Sequence, residues 1–164
     1  MSTSPTLFLV GSEFPTSQLI KQIKNEVNFK IISFDIETHK KLLDIGLDHE
    51  ISDSYLSEDD IEQLQHTVYD FGKWYEDSNI KEYFMYENVN IGELFHEQVS
   101  VFLPSFMKTL YEIANITKKF PDSNYFASSQ KFQFMKIFSD LGVEIKNNER
   151  TELEFVHDKV TVSY

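Results

Sequence analysis

Two carboxylates one residue apart, Asp35 and Glu37 in Phe34-Asp35-Ile36-Glu37-Thr38, end a short apolar run. An acidic pair of this spacing at a strand end can hold divalent metal ions. Two such ions activate water and stabilise the leaving oxygen of a phosphodiester. The same residues have a plainer use, because carboxylates are favoured at the positive end of a helix and a helix is expected directly after them. A second polar set, Gly11-Ser12-Glu13, follows the first apolar run and precedes Phe14-Pro15-Thr16-Ser17. A dinucleotide cradle there needs three glycines, for the turn, for close phosphate approach and for helix packing. This loop has Gly11 alone, and Glu13 would repel a phosphate, so it suits a neutral polar ligand such as a sugar, or is a plain strand-to-helix turn.

The string Phe34–Thr38 resembles the first motif of proofreading exonucleases, which open their fold with that strand and need further carboxylates downstream. Tyr55 and Asp59 have the spacing of their last motif but come only about twenty residues later. The five histidines, His39, His49, His66, His96 and His157, form no adjacent or i, i+4 pair. His49 opens a short strand and could face the ligand edge of a sheet. No Gly-x-Ser-x-Gly elbow is present, so a hydrolase of that type is not supported. Tyr86–Leu94 could project Glu87, Asn90 and Glu93 into a cleft, or serve as a loop and cap entering the next helix, which Asn90 explains without a ligand.

The elements that must position these residues read as follows. Thr6–Val10 is a continuous apolar run, the mark of a buried parallel strand. A helix capped by Thr16 or Ser17 carries Leu19, Ile20, Ile23 and Val27, and Phe29–Phe34 is a second strand. A second helix presents Leu42, Leu43 and Ile45 and stops at Gly46. His49–Ile51 is a short third strand. Ser57 caps a helix whose Ile61, Leu64, Val68, Phe71 and Tyr75 recur at three and four residues. A longer helix starts near Asn90 and is expected to kink or split at Pro104. Asn124–Ala127 is a fourth strand, and a helix capped by Ser128 or Ser129 closes at Gly142. Val143–Ile145 is a fifth strand, and Leu153–Val156 with Val160–Tyr164 reads as a C-terminal β-hairpin. The expected class is α/β, one Rossmann-like domain over residues 1–164 with a parallel sheet flanked by helices.

Composition narrows the partners. A net charge of −12 would repel a nucleic acid on average, and no basic run exceeds two residues. There is no cysteine, which excludes disulfides and thiolate-bound metal, and no metal centre is expected. Met1–Pro5 lacks the basic stretch of a signal peptide and the run Leu7–Val10 is too short to span a membrane, so a cytoplasmic protein without a transmembrane segment is expected. Fifteen Phe and eight Tyr must pack inside or face a partner.

Four segments, in order and spacing, resemble one family. They are Ile31–Lys40, His49–Leu56, Lys73-Trp74-Tyr75 and Tyr86–Leu94. Together they are similar to the N-terminal domain of microbial surface-carbohydrate glycosyltransferases built from two Rossmann-like halves (GT-B-like), over roughly residues 6–145. The resemblance implies a cytoplasmic half that binds a glycan or lipid-linked acceptor. A C-terminal donor-binding domain would grip the nucleotide sugar, and no cofactor is implied in this half. It implies acceptor-facing roles for Gly11, Ser12, Glu13, Asp35, Glu37, His39, Glu87, Asn90 and Glu93, any carboxylate or His among them being a candidate general base. Because the chain ends at Tyr164, it is expected to be inactive alone. The alternative is a non-catalytic α/β domain that uses its aromatic excess as a protein contact face, with the metal-dependent exonuclease behind both.

Overall fold

The computed structural model describes residues 4–145. Five parallel strands form one sheet in the order β3-β2-β1-β6-β7: β1 Thr6–Val10, β2 Phe29–Ser33, β3 Glu50–Ile51, β6 Tyr125–Ser128 and β7 Gly142–Ile145. This is the Rossmann-like α/β sheet expected from the sequence. β1 is central and all five of its residues are buried, which is why it shows no polar alternation. Its side chains still divide by face. Leu7 and Leu9 join Ile32, Ile113, Ile116 and Met135 on one side. Phe8 and Val10 join Leu19, Ile31 and Leu42 on the other. Helices α1 (Thr16–Ile23) and α2 (Ile36–Asp44) thus cover one face, while α4 (His96–Lys119) and α5 (Ser129–Phe138) cover the other.

Several local expectations are corrected. α1 begins after Pro15, whose φ of −67° is already set for the first turn, and neither Thr16 nor Ser17 caps it. It ends at Ile23, leaving Val27 in solvent. In α2 only Leu42 of the apolar trio is buried; Leu43 and Ile45 are exposed, and Gly46 ends the helix at φ 70°. α4 starts at His96, after a 3₁₀ turn over Ile91–Phe95, and runs unbroken through Pro104. Pro104 is exposed, and the carbonyl it leaves without an amide donor belongs to the half-buried Ser100. Ser128 occupies the position before α5 but makes no cap hydrogen bond, and Gly142 opens β7. The expected hairpin at 153–164 lies outside the described residues.

An arm leaves the sheet after β3. It comprises α3 (Glu58–Gly72), a two-stranded hairpin of β4 (Met85–Tyr86) and β5 (Val89–Asn90), and the first part of α4. The turn residues Glu87 and Asn88 both take positive φ, the geometry that lets two residues close a hairpin. Ser57 and Asp60 form a capping box that starts α3.

Candidate functional site

The strand order reverses at β1, so the carboxyl ends of β1 and β6 flank a topological switch point, where parallel sheets bind ligands. Glu13 lies just beyond β1. Its Oε1 accepts from Lys131 Nζ at 2.5 Å and from the Ser128 hydroxyl. Lys131 stands on the first turn of α5 with its side chain 8% exposed, and its ammonium lies 5.4 Å from the centre of the Phe34 ring. Burial works to raise the Glu13 pKa, but the charge and hydrogen bond of Lys131, with the Ser128 hydroxyl, outweigh it and hold the carboxyl below its ordinary value. Glu13 is therefore an ionised acceptor at neutral pH rather than a ready proton base.

Gly11 makes this pair possible. A Cβ at that position would lie 2.2 Å from Lys131 Nζ and 2.4 Å from Glu13 Oε2. The single glycine of the loop thus makes room for an ion pair, where a fingerprint glycine would make room for a pyrophosphate.

Asp35 adjoins the pair. Its Oδ2 accepts the Ser12 amide at 2.8 Å and the Thr38 hydroxyl at 3.0 Å, and its Oδ1 accepts the Thr38 amide at 2.7 Å. Asp35 is the N-cap of α2 and a tie between the β1 and β2 loops. Burial pushes its pKa up, yet the Thr38 and Ser12 hydrogen bonds and the Lys131 charge leave it lowered. Glu37 turns away to pair with Lys41 at 2.8 Å on the surface of α2. Asp35 and Glu37 do not converge as a metal-binding pair, and among the described residues no three His, Asp or Glu side chains gather as a metal site would require.

His39 meets His49, with Nδ1 of the first 2.8 Å from Nε2 of the second, while His49 Nδ1 lies 2.8 Å from the Leu47 carbonyl. A carbonyl can only accept, so His49 Nδ1 carries a proton. The direction of the bond between His49 Nε2 and His39 Nδ1 follows the tautomer of each ring. Glu87, Asn90 and Glu93 lie on the arm. Asn90 donates to the Tyr75 carbonyl at 2.7 Å and accepts the Gly92 amide at 3.0 Å. It is a cap and a brace, and Gly92 is required because a Cβ there would lie 2.7 Å from Tyr75 Cβ.

Of the nine predicted residues, the fold therefore brings Gly11, Ser12, Glu13 and Asp35 together. It places Glu37 and His39 further along α2, and puts Glu87, Asn90 and Glu93 elsewhere. Sequence reasoning missed Lys131 and read Ser128 only as a cap; both lie more than a hundred positions from Glu13, and only the β1–β6 pairing joins them.

It also missed a buried acid at the root of the arm. Glu112 of α4 is 1% exposed, accepts from Ser52 at 2.9 Å, and is paired with Lys108, which also pairs with Asp53. Burial raises the Glu112 pKa to about 7 even against Lys108, whereas the Lys108 hydrogen bond keeps Asp53 lowered.

A recess of about 20 Å³, water-sized, opens beside the crevice between Gly11, Thr16, Thr38 and Lys41. A wider one of about 270 Å³ lies at the opposite edge, between Thr6, Glu26, Tyr125 and Val143. Among the described residues no helix is long and apolar enough to cross a membrane. No protein-family model, curated protein or solved structure matches this chain.

Proposed function

We propose that this chain is the acceptor-binding half of a two-domain, GT-B-like glycosyltransferase of surface-carbohydrate synthesis, holding a glycan or lipid-linked saccharide at the switch point. The observation that supports this most is the ionised Glu13, fixed by Lys131 and Ser128 at the carboxyl edge of β1 and β6 beside the Phe34 ring. Sugar hydroxyls donate well to a carboxylate, a lysine ammonium donates to ring and hydroxyl oxygens, and an aromatic face packs the C–H side of a sugar. The exposed Ser12 adds a hydroxyl.

Glu13 and Asp35 make the same crevice hostile to a diphosphate. In this proposal the nucleotide sugar is gripped by a separate C-terminal domain, and the chain alone transfers nothing. Glu13 orients the acceptor. A cytoplasmic setting accords with the absence of cysteine.

Saturation-transfer NMR on the full chain tests the reading, with neutral di- and trisaccharides in one arm and UDP-glucose in the other. Saccharide signal that disappears in Glu13→Gln and in Lys131→Met is expected, with none from the nucleotide sugar. Binding of UDP-glucose without saccharide binding, or sugar transfer by the chain alone, would refute it.

A further inference from the structure

The arm carries apolar side chains that stand exposed among the described residues. Tyr83 is 84% exposed, Val101 75% and Leu94 69%, and Tyr69, Phe71 and Phe102 are exposed by more than half. On the β4–β5 hairpin Tyr86 and Val89 are direct cross-strand partners and both stand in solvent. Isolated exposed apolar residues are ordinary, but this concentration on one excursion marks a contact surface.

Its charge identifies the occupant. Residues 57–102 hold eleven Asp or Glu against two Lys, a balance of −9 out of −12 for the whole chain. Such a surface repels the anionic face of a membrane and repels a second copy of itself. It attracts a cationic surface with an apolar centre. We propose that the arm docks a basic, amphipathic segment of another protein, its Lys or Arg side chains meeting the arm's acidic rim and its apolar side covering Leu94, Val101 and Phe102. This is independent of the saccharide reading, which concerns the carboxyl edge of β1 and β6.

The arm is also braced as a receptor should be. The His96 ring lies 2.9 Å through Nδ1 from the Gly72 carbonyl, tying the end of α3 to the start of α4. Asn90 ties the hairpin to Tyr75, and Trp74 packs edge-on against Phe84 with ring centres 5.0 Å apart. A preformed apolar face loses less conformational freedom on binding than a loose one.

Trp74 is the only tryptophan of the chain and sits in this arm, so its emission reports the surface. The full chain is titrated with a synthetic helix-forming peptide of Lys and Leu, with its Glu/Leu counterpart, and with anionic and zwitterionic phospholipid vesicles. Sedimentation of the chain alone reads self-association. The Lys/Leu peptide is expected to shift Trp74 emission with an affinity that falls as salt rises. The combined variant Leu94→Ser, Val101→Ser, Phe102→Ser should bind about tenfold more weakly, with unchanged far-ultraviolet dichroism. As a second variant, Glu93→Gln with Glu97→Gln should weaken binding while leaving the apolar face intact. Any of four results would overturn the proposal: no peptide binding, equal binding by the combined variant, equal binding of the Glu/Leu peptide, or vesicle binding or dimer formation through the same residues.

Discussion

The sheet and the arm are held together by different physics. In the sheet half, Leu7, Phe8, Leu9 and Ile32 are fully buried and each face of the central strand has its own apolar layer. In the arm, residues 57–102, the buried positions are Gly72 and Gly92, and order rests on a capping box, the Asn90 brace and the His96 contact. Charge divides the same way, with most of the net −12 on the arm. The sheet is organised around its own core, whereas among the described residues the arm leaves many of its apolar side chains exposed.

The largest effect should come from the sheet. Leu9→Ala empties a fully buried central position and should lower stability by about 3 kcal/mol, read from urea unfolding with an unchanged slope. A loss below ~1 kcal/mol would mean that the two layers do not close on β1.

The seam between the regions should respond to pH. Glu112 has its folded pKa raised from 4.5 to about 7, so the folded state holds a proton that the unfolded chain has already released. Its contribution to stability is complete below pH 4.5 and is lost as pH rises to about 7. Glu13, Asp35 and Asp53 are lowered, and act in the opposite sense, only as pH falls below the ordinary carboxylate range. Glu112→Gln should therefore gain on the natural chain between pH 5 and pH 8, by on the order of 3 kcal/mol. Parallel pH profiles for the two proteins would show that Glu112 is not the titrating group.

Gly92→Ala forces Tyr75 away from the 3₁₀ turn and should cost about 2 kcal/mol. The loss should be local to the arm, altering Trp74 emission and arm amide exchange while β1 amides stay protected. Exchange that rises equally in β1 would mean that the arm and sheet unfold as one unit. The smallest effect is expected from Leu94→Ser at an exposed site, within ~0.5 kcal/mol by the same unfolding measurement. A large loss there would reveal a packing role that the exposed side chain does not suggest.

What could be read from sequence follows from how local each determinant is. β1 is a continuous apolar run, and the Ser57 box spans four residues, so both are visible in a short window. Pro104 misled because a proline penalty depends on whether the orphaned carbonyl is buried, which sequence does not state. The β4–β5 hairpin turns on Glu87-Asn88 without glycine, and so lacks the usual signal. The amphipathic pattern of α3 announced an apolar side, but Ile61 and Phe71 remain exposed; periodicity says that a face exists, not what covers it. Gly11, Ser12 and Glu13 were legible as a strand-end loop, but Lys131 joins Glu13 across 118 positions and had no local trace.

The central claim is that the ligand seat lies where Lys131 crosses Gly11 to reach Glu13. Amide chemical-shift mapping of the full, nitrogen-15-labelled chain on titration with a binding saccharide tests it most directly. The account predicts that the shifts cluster at Gly11–Glu13, Phe34–Asp35 and Ser128–Lys131, and that they vanish in Glu13→Gln. Shifts centred on the arm, or on the opposite sheet edge around Thr6 and Val143, would contradict it.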